Sequence, residues 1–162
     1  MVLSESDREF IRVANSAAEK SHDPHRQVGA AIVGADGQLA STGTNRPPIE
    51  LNFTIEESHA AIKQDSRWKY FVLEHAERNA IRNACRSGKN LDRATMYLSL
   101  FPCADCARAI VASGIKCLVV PEIAKDSVRD EKWLEHYNYA SLILDKAGIE
   151  RKLYDTPPER DR

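Results

Sequence analysis

Two short clusters hold the residue types that can bind a transition metal and move a proton: His75-Ala76-Glu77, and Pro102-Cys103-Ala104-Asp105-Cys106. Cysteines at i and i+3 lie on one face of a helix, so Cys103 and Cys106 can chelate a single ion. His75 supplies a third ligand. A His-Cys-Cys set leaves one tetrahedral position of Zn²⁺ open to water, as in catalytic sites; a structural site closes it with a fourth residue. Glu77, two residues after the histidine, is placed to carry a proton between that water and a substrate. Taken singly, the residues have blander readings: Cys-x-x-Cys suits a redox pair or a zinc knuckle, His75 a helix cap, and Glu77 a first-turn acid favoured by the helix dipole. None of these explains why the two clusters occur together.

The elements that would position these residues read as follows. Apolar positions recur at helical spacing from Ser4 to Lys20, with Ser4 as N-cap. Val28–Val33 is β-prone, Gly34-Ala35-Asp36-Gly37 is a turn, and Gln38–Ser41 completes a hairpin. From Ile49 to Leu73 no clean period appears, and a loop with one helical piece at Ile55–Lys63 is expected. A helix begins at or near His75 and stops at Ser87-Gly88. Ala94–Leu100 is a strand, Cys103–Ser113 a helix closed by Gly114, and Lys116–Val120 a buried strand stopped by Pro121. A helix over Asp130–Ala147 and a strand over Ile149–Tyr154 finish the pattern. The order α-β-β-α-β-α-β-α-β predicts an α/β fold, a three-layer α-β-α sandwich around a mixed five-stranded sheet. In it both metal-binding clusters open helices, and two N-termini, each carrying about half a positive charge, would favour thiolates at one point.

Composition excludes several classes. The chain has 162 residues, 43% apolar and 29% charged, which suits one globular domain over residues 1–155, with a frayed tail at 156–162. Its 23 basic and 24 acidic residues give a net charge of −1 and no general affinity for nucleic acid. Four cysteines do not make a disulfide scaffold, and Met1–Phe10 lacks the layout of a secretory signal. No apolar run approaches the ~18 residues of a membrane span. A cytoplasmic protein is expected. Cys85 and Cys117 are assigned to core packing, His22, His25, His59 and His136 to the surface or loops, and Trp68 and Trp133 to packing.

The H-x-E and P-C-x-x-C pattern matches that of the zinc deaminases. With it stand Ser21-His22-Asp23-Pro24, Val28-Gly29-Ala30, Gly43-Thr44-Asn45, His75 to Ile81, Phe101 to Ala107, Gly114-Ile115-Lys116 and Ala147-Gly148-Ile149. From Ser21 to Tyr154 the chain resembles the cytidine deaminase superfamily, and within it most resembles the deoxycytidylate deaminases. The resemblance implies a five-stranded sheet, a zinc ion held by His75, Cys103 and Cys106, Glu77 as proton carrier, and a homo-oligomer, dimer or hexamer. It also implies that Asn45 contacts the sugar or base, with Ala76 and Arg46 beside it. Thr44, Arg46 and Glu74 depart from the usual Tyr, Gly and non-acidic residue of that family. No cysteine lies between Pro47 and Glu74, so a single zinc is expected. The implied reaction is hydrolytic deamination of a cytosine nucleotide, foremost dCMP to dUMP, with Arg46, Lys63 or Arg67 reading the phosphate. Rival readings are deamination of another aminated ring (a free base, a nucleoside, guanine or a tRNA adenosine) and a non-catalytic zinc-stabilised interaction module. The absence of a basic tail argues against a polynucleotide substrate.

Overall fold

The computed structural model describes residues 2–123, 131 and 133–155. Its elements are α1 (Glu5–Ala18), β1 (Gly29–Val33), β2 (Leu39–Thr44), a 3₁₀ turn (Ile49–Leu51), α2 (Ile55–Gln64), α3 (Trp68–Val72), α4 (Ala76–Arg86), β3 (Thr95–Leu98), α5 (Ala104–Ser113), β4 (Cys117–Pro121), α6 (Leu134–Lys146) and β5 (Glu150–Tyr154). The five strands form one mixed sheet in the order β2-β1-β3-β4-β5. β1 pairs antiparallel with both β2 and β3, while β3, β4 and β5 run parallel. The expected α/β sandwich around a mixed five-stranded sheet is what the chain forms.

Burial on both faces explains the apolar strands. Ala30, Ile32, Met96, Leu98, Leu118 and Val120 face the larger core with Ala80, Ile110, Tyr137 and Leu144 of the helices. The alternate residues Ala31, Val33, Tyr97 and Val119 pack with Ala14 and Phe10 of α1. All five residues of β1 are buried, the signature of a strand covered on two sides. Local chemistry sets the helix starts. Ser4 caps α1 and Thr54 caps α2, each in a reciprocal capping box with Asp7 and Glu57. Gly114 closes α5 in the left-handed region, φ 92°.

Two glycines let helices lie directly on the hairpin. A Cβ on Gly43 would stand 2.3 Å from the Ala76 carbonyl oxygen and 2.5 Å from the Ala80 nitrogen. On Gly29 it would stand 1.9 Å from the Ala14 carbonyl oxygen. The first contact seats the opening turn of α4 on β2, and that turn follows His75 and contains Glu77.

Several expectations need correction. β2 reaches Thr44, beyond Ser41, because Gly29 pairs with Thr44. Pro121 does not stop β4 before itself; it is the last residue, opposite Tyr154, where a missing N–H costs least. The 49–73 region is not mostly loop, since it holds the 3₁₀ turn, α2 and α3. The final helix begins at Leu134; Asp130 and the tail at 156–162 lie outside the described residues. Cys85 is exposed and does not pack in the core. His22 is buried with its Nδ1 2.7 Å from the buried Ser58 hydroxyl, so it is no surface residue. No described helix is long and apolar enough to cross a membrane.

Candidate active site

α4 and α5 begin at the same end of the sheet. His75 is the N-cap of α4 and Cys103 the N-cap of α5, both in extended backbone. Cys106 falls in the first turn of α5 and Glu77 in the first turn of α4, so both helix dipoles favour negative charge here. His75 Nδ1 lies 3.5 Å from Cys103 Sγ and 3.4 Å from Cys106 Sγ. All three donor atoms fall within 4.8 Å of one another, the one such group among the described residues. Tetrahedral zinc with bonds of about 2.1 Å to nitrogen and 2.3 Å to sulfur would separate those atoms by about 3.6 Å. The three residues therefore fit a zinc ion in both spacing and donor chemistry.

The cluster's side chains also lie within hydrogen-bonding reach of one another. The Cys106 thiol and the His75 imidazole donate to Cys103, which holds its sulfur down to about 4, well below an ordinary thiol. Cys106 is pushed up, because it gives its proton to Cys103 and is buried. His75 is raised by the Cys103 sulfur, against the effect of burial. Glu77, 4% exposed, is raised by burial, with the Cys103 charge adding to it. A carboxyl raised in this way is suited to hold a proton and pass it on.

The residue before the ligand histidine is also built in. Glu74 Oε1 accepts from the His75 backbone N–H at 2.9 Å and from Arg78 Nε at 2.7 Å. Its carboxylate thus anchors the chain at His75.

His75 and Cys103 of the cluster line a cavity of about 150 Å³, and a void of this order accepts a single six-membered ring. Val28, Leu73, Leu100 and Phe101 supply apolar wall, Asn45, Ala76 and Glu77 line the inner part, and Trp133 and Tyr137 come from the start of α6. Trp133 is therefore a wall of the site as well as a packing residue. Three basic residues share the lining: His25, Arg26 and Lys69. Arg26 Nη2 donates to the Tyr137 hydroxyl at 3.0 Å, and its guanidinium lies 5.7 Å from the Trp133 ring centroid. Lys69 Nζ pairs with Asp23 at 2.8 Å, both side chains largely buried. Asp23 also accepts from the His25 and Arg26 amides, which fixes the turn that presents them.

The structure thus gathers His75, Ala76, Glu77, Cys103 and Asn45 around one cavity, with Cys106 buried behind it beside His75. Arg46, Lys63 and Arg67 do not line it. Arg46 directs its Nε toward the Pro47 carbonyl, Lys63 is exposed on α2, and Arg67 pairs with Asp65. The basic residues that do line the cavity were missed, although His25 and Arg26 follow directly on the Ser21–Pro24 motif. Lys69, Trp133 and Tyr137 carry no local signal and are brought in by the fold.

A nitrogen and two sulfurs able to hold zinc, next to a buried carboxyl in a ring-sized cavity, define a metal-assisted hydrolase. Residues 4–122 match the family described as the cytidine and deoxycytidylate deaminase zinc-binding region, and the chain belongs to that family. A deoxycytidylate deaminase of Homo sapiens is 31% identical over 140 residues, spanning 86% of this chain and 74% of that one. Its counterpart from Enterobacteria phage T4 is 36% identical over 146 residues, 86% and 72% of the two chains. The fold is shared with the dCMP deaminase of cyanophage S-TIM5, solved with dCMP and dUMP, at a TM-score of 0.68 and 19% identity over 95% of this chain and 100% of that one.

Proposed function

We propose that this protein is a zinc-dependent deaminase that hydrolyses dCMP to dUMP and ammonia. The observation that carries the reading is the buried Glu77 carboxyl beside the His75-Cys103-Cys106 set, within a cavity that also presents His25, Arg26 and Lys69. His75, Cys103 and Cys106 hold the zinc. When bound, that ion activates water for attack at neutral pH. Glu77 takes the first proton of the water as oxygen adds to ring C4 and places it on ring N3; it then takes the second proton, from the C4 hydroxyl, and gives it to the amine as the C4–N bond breaks and the C4 carbonyl forms. Asn45 and the apolar wall orient the ring. The basic residues of the lining suit a phosphate, which Arg binds in a forked geometry. Deoxycytidylate deaminases among the relatives support the nucleotide over other aminated rings.

The reading extends to a single domain over residues 1–155 and to a homo-oligomer. Exposed apolar side chains such as Ile49, Leu51 and Phe71, the last 84% exposed, support association with further copies. A reducing, cytoplasmic setting suits a site that needs both cysteines unoxidised.

The test is steady-state ammonia release from dCMP, CMP, deoxycytidine, guanine and single-stranded RNA, with the wild type and Glu77→Gln. Wild-type turnover is expected to favour dCMP. The variant is expected to keep one zinc per chain and lose roughly a thousandfold in kcat. Wild-type rate in Glu77→Gln would overturn the mechanism, and preference for another ring would overturn the substrate.

A further inference from the structure

Asn79 is 3% exposed and takes no part in the chemistry above. Its side-chain amide is fully occupied in a particular place. Nδ2 donates to the Thr44 carbonyl at 2.8 Å and lies 3.3 and 3.4 Å from the carbonyls of Arg46 and Glu74. Oδ1 accepts from Arg82 Nη2 at 2.7 Å. An amide nitrogen has two hydrogens, so one serves Thr44 and the other is shared between Arg46 and Glu74. Thr44 and Arg46 flank Asn45 in the chain, and Glu74 immediately precedes His75. The backbone joins these two segments by an isolated bridge, with N–H···O contacts of 3.1 and 2.9 Å between Arg46 and Glu74. Such a bridge is weak alone.

Asn45 passes the constraint onward. Its Oδ1 accepts from the Ser21 hydroxyl at 2.6 Å and from the Val28 N–H at 3.0 Å, and its Nδ2 donates to the Arg26 carbonyl at 2.8 Å. The turn holding Asp23, His25 and Arg26 therefore hangs from Asn45, and Asn45 is bracketed by carbonyls that Asn79 holds. The opening turn of α4 has an independent seat, the contact of Ala76 and Ala80 on Gly43. Loss of the Asn79 amide would free residues 44–46 while leaving Glu77 in position.

We infer that Asn79 is a positioning residue that sets the distance between the cavity wall at Asn45, directly after β2, and the segment at His75. That this wall contacts substrate rests on the reading under Proposed function. Zinc-loaded Asn79→Ala, as the full chain, is to be compared with the wild type by amide hydrogen exchange and steady-state kinetics on the ring that the substrate panel identifies. Exchange at the Arg46 and Glu74 amides is expected to quicken about tenfold, with Met96–Leu98 and Leu118–Val120 unchanged. KM is expected to rise about tenfold, with kcat within about threefold and one zinc per chain, because the wall moves and the reacting groups do not. Asn79→Ser, which keeps a polar group too short to span the gap, is measured in the same way and decides the matter should the alanine variant fail to fold. Unchanged protection at those two amides, uniform quickening across the sheet, or unchanged KM would each overturn the inference. Failure of the substrate reading shows separately, as a wild type that prefers a ring other than dCMP.

Discussion

At the scale of single residues, the site separates holding a metal from moving a proton. We propose Cys103 and Cys106 as ligands because a sulfur can lose its proton here, and its neighbours hold Cys103 down to about 4. A serine in either place would keep its proton and bind zinc poorly. Replacing a partner one step removed from a metal commonly costs ten- to a hundredfold in affinity; loss of a ligand sulfur should exceed that. Cys103→Ser and Cys106→Ser are accordingly expected to purify with well under one zinc per chain and about a hundredfold weaker zinc binding by competition with a chelating dye. Full stoichiometry in both variants would remove these residues from the ligand set. The contrast with Glu77→Gln, which should keep its metal and lose turnover, divides the two duties between side chains only a few ångströms apart.

At the scale of elements, the question is what holds the helices where the site needs them. On the face away from the site, Asp7 joins three elements. Its carboxylate accepts from the Ser4 amide at 2.9 Å, from the Tyr97 hydroxyl of β3 at 3.0 Å and from Lys152 of β5 at 3.2 Å. Burial by itself would raise its pKa, but the bonds from Ser4, Tyr97 and Lys152 outweigh that and hold it below 3.8. A depressed carboxylate contributes stability above its unfolded pKa, and that contribution disappears as pH falls through the folded value. Asp7→Asn is therefore expected to be less stable by roughly 2 kcal/mol at pH 7, with the gap closing below about pH 4. Urea melts at pH 7 and pH 3 read this directly, and a gap no smaller at pH 3 than at pH 7 would contradict the account. These elements differ in how far the sequence foretold them. α1 was legible from its periodicity and the Ser4 cap, and α4 and α5 from periodicity closed by Gly88 and Gly114. α3, a single turn of helix, leaves too short a pattern to read. The metal set was legible because its spacing lies within two short motifs, whereas Trp133 and Tyr137 reach the cavity from a distant helix. His22 was misjudged because the partner that lets its ring be buried, Ser58, belongs to α2.

At the scale of the whole molecule, the metal set sits at the edge of a core that does not depend on it. Ile32, Met96, Leu98, Ile110, Leu118, Val120 and Leu144 are buried in the larger cluster, and α1 closes the opposite face of the sheet. Burial of this kind contributes about 1.5 to 3 kcal/mol per large side chain, enough to keep the layers together without zinc. A small zinc-built module behaves in the opposite way and unfolds when chelated. Binding of zinc to the folded chain alone still adds several kcal/mol by mass action, so its loss should lower Tm by roughly 10 °C in a chain of this size. Dialysis against a chelator is thus expected to abolish ammonia release and lower Tm while leaving the far-UV circular dichroism at 25 °C unchanged, and added zinc should restore both activity and Tm. Loss of the helical signal on chelation would mean that the ion builds the fold, and the separation of scaffold from site drawn from the packing would fail.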